Sequence, residues 1–271
     1  MNIKKITSIS NPLVKKAIDA RSRRRGTDGN IFIAEGPHLV ETAAAAGSII
    51  SEIFYTLEYG STDAGKAFLA GLAAAAAPPG AFIEVPDNVL SRIADTQAPQ
   101  GILALVSSAE LTPDKLVLGK RPLIAVCDGI SDPGNLGTII RVSDAAGADA
   151  VVILPDSCDP YSPKAVRATA GSIFHIPVIS AGCEEFSDFM AANCITIYAA
   201  DVRAEKSLYE IDLRLSCALV FGNEARGVSE CLLQKADASL KIPIAGKAES
   251  LNAAMSAAIC LYEAVRQRAI E

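Results

Sequence analysis

Short apolar runs of strand length alternate along most of the chain with longer stretches in which apolar positions recur every third or fourth residue. In the front half this predicts a basic helix over 12–24, a strand at NIFIAEG (30–36), and an alanine-rich helix at HLVETAAAAG (38–47) stopped by Gly47. A strand at IISEIFYT, a helix at KAFLAGLAAAAA closed by Pro78-Pro79-Gly80, and strands at AFIEV and GILALVS follow. The rear half alternates more cleanly. LIAVCD (123–128), ADAVVILP (148–155), FHIPVIS, CITIYAAD and CALVFGNE read as strands, with helices over about 137–146, at PKAVRATAG and at SLNAAMSAAICLYEAVRQR. These strand runs are continuously apolar rather than alternating, which predicts strands covered on both faces and hence a largely parallel sheet. The fold class is α/β twice over, with a small α/β domain at 1–108, a polar linker at 109–121 and a second domain at 122–271. A length of 271 residues fits two domains.

Apolar residues make up 50% of the chain and charged residues 21%, a globular balance that excludes global disorder. No apolar run is long enough to cross a membrane, and MNIKKITSISNPLVKK has no apolar core of a secretory signal. Seven scattered cysteines, never in CxxC spacing and never beside a histidine, argue against a disulfide framework or a zinc site and predict a reducing, cytoplasmic setting. The net charge of −6 conceals an asymmetry: residues 1–25 hold eight basic side chains against Asp19 alone. A basic arm on an acidic body suits a polyanionic partner, because such contacts release condensed counterions.

Three segments break the plain strand–helix pattern, all in the rear half. DGISDPGNLGTIIRVSDAAGA (128–148) turns from a buried strand through glycines into a helix, a unit that presents backbone N–H groups to an anion. It lacks the lysine of a Walker loop and the spacing of GxGxxG. LVFGNEARGVS (219–229) places Asn223 and Glu224 at a strand's C-terminal end, the edge at which open α/β sheets bind ligands. In KIPIAGKAESLNAAMSAA (241–258) a short strand reaches Pro243, and Ser250 or Asn252 caps a long helix. One common pocket would account for all three turns.

NLGTIIR, FGNEARG and IPIAGKAESLNAAMSAAICLYE resemble, in order and spacing, the three motifs of the SpoU/TrmH-type RNA 2′-O-ribose methyltransferases of the SPOUT superfamily. NIFIAEGPHLVETAAAAG and APQGILALV resemble that family's accessory RNA-binding domain. The resemblance implies a parallel sheet whose C-terminal segment threads into a deep trefoil knot, a rare topology. It implies S-adenosylmethionine in that knot, lined by Gly222, Ile242 and Leu251, and a homodimer with active sites near the subunit interface. No metal is implied, since a sulfonium methyl is itself the electrophile.

A ribose 2′-hydroxyl is a poor nucleophile, so the site must deprotonate it or stabilise its developing charge. The resemblance assigns this work to Arg141, one helical turn beyond Gly137. A guanidinium keeps its proton, so the expected role is a fork binding the neighbouring RNA phosphate and the incipient alkoxide, with that phosphate or a water accepting the proton. Asn135 and Asn252 are assigned to orienting ribose and backbone, Glu224 to fixing Arg141 or a motif loop, and Ser250 to capping the last helix while facing the pocket. Ala225 stands where a glycine commonly follows the motif glutamate. His38 and His175 are read as structural, and Arg167 as either a solvated residue or part of an RNA-facing surface. The expected activity is methyl transfer from S-adenosylmethionine to a ribose hydroxyl in structured ribosomal or transfer RNA. A non-catalytic RNA-binding protein and a nucleotide-dependent oxidoreductase are the competing classes.

Overall fold

A computed structural model of the chain describes residues 3–22, 31–75, 80–108 and 111–269. Arg23, Arg24 and Arg25 of the basic arm, Pro78 and Pro79, and positions 109 and 110 lie outside the described residues. The chain forms two compact units, one made by the residues before Leu111 together with Tyr161–Phe174, the other by Leu111–Pro160 and the residues from His175 onward.

The first unit is built in the order β1 (Ile3–Lys5), α1 (Pro12–Ser22), β2 (Ile31–Glu35), α2 (Pro37–Ala45), β3 (Ile50–Thr56), α3 (Leu57–Ser61), α4 (Asp63–Ala73), β4 (Ala81–Val85), α5 (Asp87–Ile93) and β5 (Ile102–Ser107). Its sheet runs β1-β4-β3-β5-β2 and is mixed: β1 and β3 lie parallel to β4, while β5 is antiparallel to both β3 and β2. Val14 and Ala17 of α1 and Val89, Leu90 and Ile93 of α5 close over Phe54, Ile83 and Leu103. The basic helix is partly committed to its own unit. The Lys16 Nζ donates to both Glu52 carboxylate oxygens at 3.0 Å, and Arg21 donates to the Arg92 and Ala94 carbonyls.

In the rear half β6 (Leu123–Asp128), α6 (Pro133–Ala145), β7 (Ala150–Ile153), α7 (Pro163–Ala168), β8 (Val178–Ser180), α8 (Cys183–Ala192), β9 (Thr196–Ala200), β10 (Cys217–Gly222), α9 (Glu230–Lys235), β11 (Ala238–Leu240) and α10 (Ala253–Arg268) follow. Every pairing in the sheet β11-β9-β10-β6-β7-β8 is parallel. The β6 strand is buried along its whole length, as its unbroken apolar sequence requires. Helix α6 starts four residues earlier than its apolar periodicity indicates, because the Asp132 carboxylate accepts the Asn135 N–H as an N-cap and Pro133 occupies the first turn.

Three sequence-based expectations are corrected. First, the 109–121 segment is no free linker: Leu111, Leu116 and Leu118 pack against the core of the second unit, and the Asp149 carboxylate accepts the Gly119 N–H at 2.8 Å. Second, 161–174 belongs with the first unit, not with the rest of 122–271. There Phe32 of β2 stacks on Tyr161 and Phe174, and Arg167 donates to the Asp95 carboxylate at 2.7 Å with Glu35 beside it. Arg167 is thus paired within the first unit rather than simply solvated. Third, Cys183 and Cys231 are joined by a disulfide between α8 and α9, a juxtaposition that a sequence separation of 48 conceals. Cys127, Cys217 and Cys260 are buried, and burial pushes their thiols well up, Cys260 to about 12 and Cys217 to about 11.

Candidate functional site

The C-terminal ends of β6 and β10, neighbours in the sheet with Gly222 opposite Asp128, deliver two of the three unusual turns to one place. After Gly222 the chain folds into a closed hairpin, in which Asn223 and Gly227 exchange backbone hydrogen bonds of 2.9 Å in both directions. The Asn223 side-chain oxygen accepts the Ala225 and Arg226 N–H groups, an Asx turn that fixes the tip, and its amide donates to the Gly129 carbonyl at 2.7 Å. Gly227 takes the left-handed conformation at φ 75°. Ala225 stays in the ordinary region, so alanine is compatible with the loop where a glycine is common. Gly222 is required by space, since a Cβ there would lie 2.1 Å from the Val228 nitrogen. The hairpin's exit is held by Asp128, a buried carboxylate that accepts the Ser229 N–H at 2.6 Å.

A chain of side-chain hydrogen bonds joins all three turns. Glu224 accepts from the Ser131 hydroxyl at 2.9 Å and from the Asn135 amide at 2.8 Å, and the Asn135 oxygen accepts from the Asn252 amide at 2.9 Å. The Asn252 oxygen then accepts the Ala254 and Met255 N–H groups as the N-cap of α10. The polarity is self-consistent: the carboxylate can only accept, which turns each amide nitrogen toward it and each oxygen away. Asn135 keeps one amide donor and one acceptor position, and Asn252 one amide donor. Burial alone would raise the Glu224 carboxyl, but the hydrogen bonds from Asn135 and Ser131 prevail and hold it below its usual 4.5. A depressed pKa in the folded state contributes stability above the unfolded value, and that contribution is lost as pH falls through the folded one. Thermal stability is therefore expected to be insensitive to this group down to about pH 5 and to drop below it. Melting curves across that range should show a smaller drop in Glu224→Gln than in wild type.

A cavity of about 340 Å³ is lined by Gly222, Glu224, Arg226, Ser250, Leu251 and Ser256, together with the end of β9. Of the residues that the sequence singled out, the structure brings Gly222, Leu251, Glu224 and Ser250 to one cavity wall, with Asn135 and Asn252 tied on through hydrogen bonds. Ile242, two residues past β11, is not in that lining. Ser250 does not cap α10; Asn252 does. Glu224 fixes the Asn135 turn rather than Arg141. Arg141 is exposed on α6, about 9 Å along the axis from Asn135, and among the described residues no carboxylate pairs with it. Sequence reasoning missed Ser131, Asp128 and Arg226. The Asp132-Pro133 pair, a helix-start signal, could have drawn the turn at Ser131 into the site. Neither His38, beside the Ala170 carbonyl, nor His175, beside Asp144, belongs to this cluster. Among the described residues no group of three or more His, Cys, Asp or Glu is placed to hold a metal ion.

An all-parallel sheet with three turns converging at one strand edge around a small-molecule cavity defines an α/β enzyme-like domain. The signature of the SpoU rRNA Methylase family matches residues 122–262, and that of the MRM3-like substrate binding domain matches residues 11–104. The 23S rRNA (guanosine(2553)-2′-O)-methyltransferase RlmP of Bacillus subtilis (strain 168) is 35% identical over 260 residues, spanning 96% of this chain and 98% of that protein. The AdoMet-bound rRNA methyltransferase of Sinorhizobium meliloti superposes with a TM-score of 0.86 at 32% identity, covering 97% of this chain and 98% of that one. The SpoU methyltransferase AviRb of Streptomyces viridochromogenes, in complex with the cofactor AdoMet, gives 0.87 at 26% identity over 96% and 98%. This chain belongs to the SpoU rRNA methylase family.

Proposed function

We propose that the protein transfers a methyl group from S-adenosylmethionine to a ribose 2′-hydroxyl of ribosomal RNA, with the rear unit performing the chemistry and the front unit holding the RNA. The observation that carries this reading is the hydrogen-bonded chain Ser131–Glu224–Asn135–Asn252, which knits all three motif turns together beside a cavity of ligand size. The cavity suits the cofactor. Backbone and small side chains at Ala200, Gly222, Ala225 and Ala253 leave room for an extended ligand, and Phe221 and Leu251 offer apolar wall to an adenine ring. S-Adenosylmethionine supplies an electrophilic methyl group on a sulfonium centre.

The chain's own residues supply the rest. Arg141 is charged, exposed and without a competing carboxylate among the described residues, so its fork is open to an RNA phosphate and the developing alkoxide. The hydroxyl proton passes to that phosphate or to water. Asn135 and Asn252, held by Glu224 and by the α10 terminus, present fixed amides to the ribose. Incubation with labelled S-adenosylmethionine and total RNA should put label into ribosomal RNA, recovered as a 2′-O-methylated nucleoside after digestion. Tight RNA binding with no transfer would leave the non-catalytic reading in its place.

We infer further that the working form is a cytoplasmic homodimer. Met255, Ala258, Ile259, Tyr262 and Val265 form an apolar stripe at helical spacing on α10, with Met255 and Tyr262 about half exposed at 52% and 50%. The stripe begins one turn from Asn252, which supports a second copy seated beside the site. No described helix is long and apolar enough to cross a membrane. Tyr262→Glu is expected to give a monomer by light scattering and to lose methyl transfer, whereas an unchanged mass would place the dimer face elsewhere. The C-terminal knot rests on the family resemblance. The pairing of Lys241 with both Lys206 and Leu208, which straps the segment after β11, supports it.

A further inference from the structure

Oxidation chemistry has a place in this molecule that the methyl-transfer reading does not use. Cys183, the first residue of α8, and Cys231, in the first turn of α9, are bonded sulfur to sulfur. The two helices pack side by side on the core of the second unit through Phe186, Met190 and Leu232, and Lys235 donates to Glu184 across them at 2.5 Å. Cys231 is exposed and Cys183 half-buried, so small reagents reach the bond. The other cysteines differ in kind: Cys158 is half-buried and forms no disulfide. Cys127, Cys217 and Cys260 are buried, and Cys194 is exposed but without a partner sulfur.

Helix α9 is also the downstream anchor of the motif hairpin. Its N-cap is Ser229, whose N–H is held by Asp128, and the Ser229 carbonyl accepts the Leu232 and Leu233 N–H groups. Fixing α9 to α8 therefore fixes the end of the 222–229 loop that lines the cavity.

We propose that Cys183 and Cys231 form a thiol–disulfide exchange site for small disulfides of the glutathione class, and that its closure restrains the 222–229 loop. The Cys231 thiolate attacks oxidised glutathione, forming a mixed disulfide and releasing one glutathione thiolate. The Cys183 thiolate then attacks the Cys231 sulfur, closing the protein disulfide and releasing the second. Two protein thiols are oxidised, one glutathione disulfide is reduced to two thiols, and the two protons pass from the protein thiols to them. The site is independent of whether the protein methylates RNA.

The test uses the full chain, reduced and then equilibrated in glutathione buffers of graded oxidation, acid-quenched, alkylated and mapped by peptide mass. The Cys183–Cys231 cross-link should be roughly 10²-fold more favourable in the folded protein than in the guanidinium-unfolded chain, because native geometry holds the sulfurs together. Cys194 should carry only mixed glutathione disulfide, and so should Cys231 in Cys183→Ser. Hydrogen exchange at the 223–229 amides should slow roughly tenfold on closure. A cross-link no more favourable folded than unfolded would overturn the site. Mixed disulfides on both cysteines without a cross-link would do the same, and unchanged exchange in the oxidised protein would overturn the restraint on the loop.

Discussion

Arg141→Lys is expected to lower the single-turnover rate of methyl transfer by about 10²–10³-fold while S-adenosylmethionine binds within a few-fold of wild type. The charge is retained, but the planar pair of donors that can grip a phosphate and an alkoxide together is lost, and a flexible ammonium holds neither geometry. The structure makes the expectation specific to transfer. Arg141 is exposed on α6, does not line the 340 Å³ cavity and pairs with no carboxylate among the described residues, so its replacement disturbs neither the fold nor that cavity. Single-turnover assays with enzyme in excess over RNA, paired with calorimetry of cofactor binding, separate the two effects. A variant with the wild-type rate would remove Arg141 from the reaction, and one that loses cofactor affinity would make it a binding residue instead.

Gly222→Ala should have the opposite signature. The added methyl would meet the Val228 nitrogen at 2.1 Å and the Gly227 carbonyl carbon at 2.2 Å, distances that backbone cannot accept. The hairpin must open, breaking the paired Asn223 and Gly227 bonds and moving the Glu224 carboxylate away from Asn135. The expected loss is about 10²-fold or more in S-adenosylmethionine affinity, with transfer falling in step. The overpacking costs about 1–3 kcal/mol and lowers Tm by several degrees, leaving β10 and the sheet in place. Circular dichroism melts and calorimetry would show this together. Wild-type affinity in this variant would mean that the cofactor lies away from the hairpin.

These two residues illustrate how much of the site is written locally. Gly222 and Glu224 announce themselves as a glycine turn with an acid at a strand end, and Asn252 as a helix cap, because both signals depend on neighbours a few residues away. The partner of Glu224 is a different matter. It bonds to Asn135, 89 residues earlier, and Asn252 reaches Asn135 across 117. No spacing rule spans such distances, so the same acid reads equally well as a partner for Arg141 until the sheet brings β6 and β10 together. The early start of α6 was legible in Asp132-Pro133, whereas apolar periodicity, which begins only where the helix meets the core, pointed one turn too late.

By itself the sequence determined the alternation of strands and helices, the parallel character of the rear sheet, the three unusual turns of the rear half and the family the chain belongs to. Those features follow from local burial and from backbone geometry, both encoded in adjacent residues. The tertiary structure alone decided that Arg167 pairs with Asp95 beside Glu35, that Tyr161–Phe174 packs with the first unit, that Cys183 meets Cys231, and that Asn135 stands between Glu224 and Asn252. Each of these is a pairing of groups far apart in the chain. Which donor faces which acceptor is settled only when packing removes water and leaves each polar group the partners within reach.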